Sequence, residues 1–147
     1  MRNTAVVDSG PLIALFDRDD AHHKLVVDFF VANKQLQLVT TWAVLNETSA
    51  LLGSRVGKQA ELDFLTWIER GGVTVVSQDA SALARMRMLI EKYRDLPLDF
   101  ADASVAVLAE QSGFTHLLTI DRDFDVYRDA RGKRLKNLLG PALLRRR

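Results

Sequence analysis

Short runs of consecutive apolar residues alternate along this chain with longer segments in which apolar positions recur every three or four residues. Thr4, Ala5, Val6 and Val7 form the first run, and Asp8-Ser9-Gly10-Pro11 closes it. That reads as a buried strand, a tight turn and a helix starting near Pro11, with Asp8 at the strand's carboxyl end. Helical spacing follows in Leu25, Val26, Phe29 and Phe30, then a strand-like run over 36–40 and a helix over about 42–52. Leu62, Leu65 and Ile68 mark one side of a helix over 59–69, which Gly71-Gly72 breaks before a strand over 73–76. Asp79 caps the next helix. Asp99 reads as the N-cap of a helix over 100–111 that stops at Gly113, and a strand over 116–120 then runs into Asp121.

Strands of four or five residues alternating with helices predict βαβ units, hence an α/β fold: a three-layer α/β/α sandwich with a central parallel sheet. The run over 134–138 suits an edge strand, and 140–147 is expected to be a mobile basic tail ending in Arg145-Arg146-Arg147. The 147 residues suit one domain over 1–147, with no repeat or long linker. Hydrophobic residues make up 48% and charged residues 27%, the balance of a soluble folded protein, and no apolar run approaches the roughly 20 residues of a membrane span. Without a secretory leader the expected location is the cytoplasm. The net charge of +1 does not by itself demand a nucleic-acid partner.

In open parallel sheets, ligands bind beyond the carboxyl ends of the strands where strand order switches. Asp8 and Asp121 fall at two such ends, Glu47 one turn into the helix after the second strand, and Asp102 in the first turn of the helix capped by Asp99. Four carboxylates drawn to one edge repel one another unless a cation compensates them. The chain has no cysteine, so a metal must be held by oxygen or imidazole, and Mg2+ fits best, with Mn2+ as a substitute. Such a site hydrolyses phosphodiesters with water and needs no nucleophilic side chain. Each acid also has a plainer role: Asp8 as a turn residue, Asp102 as a helix-dipole partner, Glu47 as a solvated helix residue beside Ala43 and Ala50, Asp121 as a turn residue before Arg122.

The order and context of these acids resemble the PIN-domain nucleases, specifically the VapC-like toxins of toxin–antitoxin modules. Four segments make the resemblance: Val6-Val7-Asp8-Ser9-Gly10-Pro11-Leu12-Ile13-Ala14, Asn46-Glu47, Asp99-Phe100-Ala101-Asp102-Ala103-Ser104, and Thr119-Ile120-Asp121-Arg122-Asp123-Phe124. It implies that Asp8, Glu47, Asp102 and Asp121 are the catalytic, metal-binding quartet, with Ser9, Asp99, Thr119 and Asp123 as supporting neighbours. It also implies RNA as substrate, an antitoxin protein as inhibitor, and a homodimer built on the apolar helices around 25–30 and 62–68. The alternatives are a nuclease acting on structured DNA and a non-catalytic nucleic-acid-binding module.

Other features read as structural. His22 and His23 are adjacent and project about 100° apart on a helix, so they suit a solvated helix start better than a chelating pair. Arg85, Arg87, Lys92 and Arg94 suit a solvated face better than phosphate contacts, and Trp42 suits the core better than a base-stacking role.

Overall fold

The computed structural model describes residues 3–129 and 131–145. Among these, five strands form one all-parallel sheet in the order β3-β2-β1-β4-β5. The strands are β1 (Thr4–Val7), β2 (Gln37–Thr41), β3 (Thr74–Val76), β4 (His116–Leu118) and β5 (Lys136–Asn137). The helices are α1 (Ser9–Phe16), α2 (His23–Ala32), α3 (Trp42–Arg55), α4 (Lys58–Glu69), α5 (Ala80–Lys92), α6 (Phe100–Ser112) and α7 (Gly140–Arg145), with a 3-10 turn at Arg122–Asp125.

β1 lies at the centre and all four of its residues are buried, which is why it reads as an unbroken apolar run rather than an alternating one. From β1 the chain steps outward to β2 and β3, then crosses back to β4 on the other side of β1. Right-handed crossovers therefore set α1 to α4 on one face and α5 and α6 on the other, giving the three-layer α/β/α sandwich. The switch in direction falls between β1 and β4.

α6 is the innermost helix: every residue from Ala101 to Ala109 is buried. Three small residues in its first turns, Ala101, Ala103 and Ser104, let it pack against the sheet, α3 and α5 at once. Asp99 caps it, and Gly113 ends it in the left-handed conformation (φ 72°) that glycine adopts without steric cost. On the opposite face Phe16 meets Phe64 and Trp67 at ring-centroid distances of 5.6 and 5.5 Å, and Phe30 stacks on Trp67 at 6.3 Å. Much of the apolar surface expected to be left over on α2 and α4 is thus used within the chain, while Val31 and Leu62 remain exposed.

Three expectations change. β4 ends at Leu118 rather than at residue 120, because its neighbour β5 spans two residues and offers no further backbone pairing. Residues 140–145, expected to begin a mobile tail, form α7, and Arg146 and Arg147 lie outside the described residues. Trp42 is 58% exposed rather than in the core. The buried stripe of α3 is Val44, Thr48 and Leu52, and a residue two positions before Val44 points about 200° away from it. Among the described residues no helix is long and apolar enough to cross a membrane.

Candidate active site

Asp8 is the residue after β1 and the N-cap of α1. Its Oδ1 accepts the Ser9 backbone N–H at 2.8 Å, and its Oδ2 accepts the Thr119 hydroxyl at 3.0 Å. It is almost fully buried, and that desolvation, reinforced by the negative charges of Glu47 and Asp121, raises its pKa to about 6 against the two hydrogen bonds that lower it. Thr119 leads the chain out of β4 and connects two acids, because its Oγ1 also accepts the Asp121 N–H at 3.0 Å.

Asp102 forms a capping box with Asp99. The Asp102 N–H donates to Asp99 Oδ1 at 2.9 Å, and the Asp99 N–H donates to Asp102 Oδ2 at 3.1 Å. Its expected helix-terminal role is therefore real, yet it does not exhaust the residue. Desolvation first, then the charge of Asp8, pushes the Asp102 pKa to about 8, which a solvated capping carboxylate does not show.

Glu47 sits one turn into α3, half-buried on the side shared with Ala43. Burial raises its pKa, Asp99 adds to the rise, and the Ser9 hydroxyl opposes it. Its Oε2 is buried with no hydrogen-bond partner. α3 is fixed against α6 by a buried hydroxyl pair, Thr41 Oγ1 to Ser104 Oγ at 2.7 Å, and Thr41 Oγ1 also caps α3 by accepting the Val44 N–H at 3.1 Å. Glu47 and Asp102 are thereby held on the same edge from two different layers.

Asp121 caps the 3-10 turn, its Oδ1 accepting the Asp123 N–H at 2.8 Å. Asp123 has a raised pKa, from desolvation and then from Asp121. One cleft of about 370 Å³ is lined by Asp8, Glu47, Asp99, Asp102 and Asp121 together with Ser9. The four acids singled out in the sequence thus meet, Asp99 joins them, and Asp123 is not among the lining residues. Among the described residues no three His, Asp or Glu side chains are grouped so that they could hold a metal ion as they stand.

The PIN domain family model matches residues 5–130. This chain belongs to the PIN-domain family. The PIN match takes in all four acids, β1 from Ala5 onward, and β2 to β4. The chain is 28% identical over 117 residues to ribonuclease VapC26 of Mycobacterium tuberculosis, spanning 80% of this chain and 86% of that protein. Its fold matches the crystal structure of Mycobacterium tuberculosis VapC20, a sarcin–ricin loop cleaving toxin, with a TM-score of 0.75 at 23% identity, covering 82% of this chain and 92% of VapC20. It also matches VapBC2 from Rickettsia felis bound to a promoter DNA fragment, with a TM-score of 0.61 at 13% identity over 91% and 96% of the two chains.

Two further residues brace the elements that carry these acids, and nothing local in the sequence marks either role. Asn137 on β5 donates from Nδ2 to the Thr119 carbonyl at 3.0 Å and accepts the Thr119 N–H at 3.2 Å, so a side chain continues the sheet where backbone pairing ends. Ser104 docks α6 to α3 through Thr41, a role that its place in the Asp99–Ser104 segment does not reveal. Of the four cations expected on a solvated face, Arg87, Lys92 and Arg94 are exposed, Arg87 pairing with Glu91 at 3.3 Å and Lys92 lying over the Tyr93 ring, whereas Arg85 is half-buried and clasped by Glu110 at 2.8 and 2.9 Å. His23 is half-buried, its Nδ1 2.7 Å from the Ala14 carbonyl.

Proposed function

We propose that this chain is a metal-dependent endoribonuclease, with Mg2+ or Mn2+ as its cofactor, and that it acts as the toxin of a toxin–antitoxin pair in the cytoplasm. The observation that supports this best is the convergence of Asp8, Glu47, Asp102 and Asp121 on one cleft at the β1/β4 switch point. Their donor chemistry fits a hard divalent cation: all oxygens, three carboxyls with raised pKa values, and a buried Glu47 oxygen with no partner. When bound, such a cation neutralises phosphate charge and makes water a competent nucleophile.

The chain's own residues supply orientation. Asp8, Asp102 and Asp121 each tie one oxygen to a backbone N–H, of Ser9, Asp99 and Asp123 respectively, so their carboxylates are aimed by the fold rather than by solvent. Beside Asp121 a second cleft, of about 450 Å³, carries Arg122, Arg134 and Lys136, which form no ion pair among the described residues. Their position suits the phosphates of a strand passing the acids. The likeness to VapC26 and to VapBC2 supports RNA as substrate and an antitoxin protein as partner; in this reading that partner inhibits at the acidic cleft and the working form is a homodimer.

Purified protein should cleave single-stranded RNA in Mg2+ or Mn2+ and lose that activity in excess chelator, and should leave DNA of the same sequence intact. Full activity in chelator, or no cleavage in either metal, overturns the reading.

A further inference from the structure

Next to the acid cleft lies a shelf of about 400 Å³ between the N-terminal turns of α3 and α6, and Asp121 is not among its lining residues. It is lined by Ala43, Asn46, Glu47, Asp99, Phe100 and Ala101. Phe100 is 51% exposed although Leu98, Ala101 and every residue onward to Ala109 are buried. Asn46 is exposed and makes no side-chain hydrogen bond among the described residues. Neither residue contributes to the hydrophobic core or to the hydrogen bonds that position the acids.

We propose that this shelf is a nucleobase subsite, in which Phe100 stacks the base of a nucleotide flanking the scissile phosphate and the Asn46 amide reads that base's hydrogen-bonding edge. The inference rests on the ribonuclease reading and adds to it the residues that select what is cut. Three observations lead to it. The shelf shares Glu47 and Asp99 with the acid cleft, so an occupant is the immediate neighbour of whatever reacts there. No cation lines the shelf, whereas the cations that suit phosphates, Arg122, Arg134 and Lys136, line a different cleft together with Asp121. An open aromatic face beside an amide with both donors and an acceptor is the complement of an unstacked base, which offers a π-face and a polar edge together. A base can reach this shelf only when splayed out of a helix, so the subsite also selects single-stranded or loop RNA over duplex.

The test uses wild type, Phe100→Ala, Phe100→Tyr and Asn46→Ala, each with Mg2+ and a randomised single-stranded RNA pool whose cut ends are sequenced. A fixed oligoribonucleotide taken from the preferred sites then provides kcat and KM. Phe100→Ala should raise KM about tenfold, the scale of one lost base–aromatic stack, with kcat little changed, and Phe100→Tyr should restore it. Asn46→Ala should flatten base preference at a single position beside the cut while leaving the other positions unchanged. In an Asp8→Asn background, which removes cleavage, RNA affinity measured by fluorescence anisotropy should fall with Phe100→Ala by the same factor. Cleavage by all variants with unchanged KM and unchanged preference overturns the subsite and leaves the ribonuclease reading standing. The same is true if RNA handling is unchanged while binding of an arginine-rich peptide weakens, which assigns the shelf to a protein partner. No RNA cleavage by wild type overturns both.

Discussion

Replacing Asp8 by Asn keeps its hydrogen bonds within reach, because an amide can accept the Ser9 N–H through oxygen and donate to Thr119 Oγ1 through nitrogen. What is lost is charge. Asp8→Asn and Asp102→Asn should abolish RNA cleavage without lowering the melting temperature, Glu47→Gln should be nearly as damaging, and Asp121→Asn should be milder. Asp99→Asn should keep activity, since Asn caps α6 about as well by accepting the Asp102 N–H. Cleavage assays and thermal melts on the five variants check this, and an active Asp8→Asn protein refutes the assignment. The same charges set a pH dependence. Asp8 and Asp102 titrate near about 6 and about 8 in the folded protein against an ordinary 3.8, so the folded state holds these protons more tightly than the unfolded chain. The stability they contribute is complete below about pH 4 and is lost as pH rises through those two values. Glu61, Asp79 and Asp129 have lowered pKa values and act in the opposite sense only below their ordinary values of 4.5, 3.8 and 3.8. The melting temperature of metal-free protein should therefore fall between pH 5 and pH 9, the fall should be smaller in Asp8→Asn and Asp102→Asn, and added Mg2+ should raise melting more at pH 8 than at pH 5. A flat profile in wild type contradicts this account.

At the scale of elements, the site depends on how strands end. β4 stops at Leu118, and the path from there to Asp121 is held by Asn137, whose Oδ1 accepts the N–H groups of both Thr119 and Leu139 at 3.2 Å while its Nδ2 donates to the Thr119 carbonyl. Thr119 then passes that order to Asp8 and Asp121. Asn137→Ala leaves three backbone groups without their partner and should cost about 1–3 kcal/mol of stability. It should also lower cleavage, although Asn137 does not line the acid cleft. Denaturant melts give the first effect. Faster amide hydrogen exchange at Thr119 and Asp121, with Asp8 and Ser9 unchanged, separates local loosening from global unfolding.

Across the whole molecule, a net charge of +1 conceals an ordered distribution: acids at the β1/β4 switch, and Arg122, Arg134 and Lys136 on the β4/β5 side. All three cations are exposed, so Ala substitution should change stability by no more than about 0.5 kcal/mol. If they meet phosphates, each removal should weaken RNA binding in the Asp8→Asn background with little regard to sequence. Each should also reduce the slope of log affinity against log salt by about 0.7. Arg85→Ala is the contrasting control, because its guanidinium is committed to Glu110 and its loss should affect melting rather than the salt slope. Equal salt slopes in wild type and in the triple variant would remove the cations from the RNA path.

Several features were fixed by local chemistry and could be read directly from the residues: the unbroken apolar run of β1, the caps at Asp79 and Asp99, the stop at Gly113, and the placement of Asp8 after a strand. Each depends on neighbours within a turn or two of chain, where periodicity and capping preferences operate. The parallel sheet was legible for the same reason, since strands and helices alternate at short range. What tertiary structure alone decided was every relation between residues far apart in sequence. Trp42 fell outside the core because the stripe of α3 that meets the sheet is Val44, Thr48 and Leu52, and which stripe packs inward depends on the whole layer. The end of β4 depended on a neighbour of two residues, and Asn137 acquired its role only once β5 lay beside β4. Whether Asp102 was merely a capping residue could not be read from its own helix. Its raised pKa arises from burial and from Asp8, 94 positions earlier in the chain, and only the fold brings those two carboxylates to one edge.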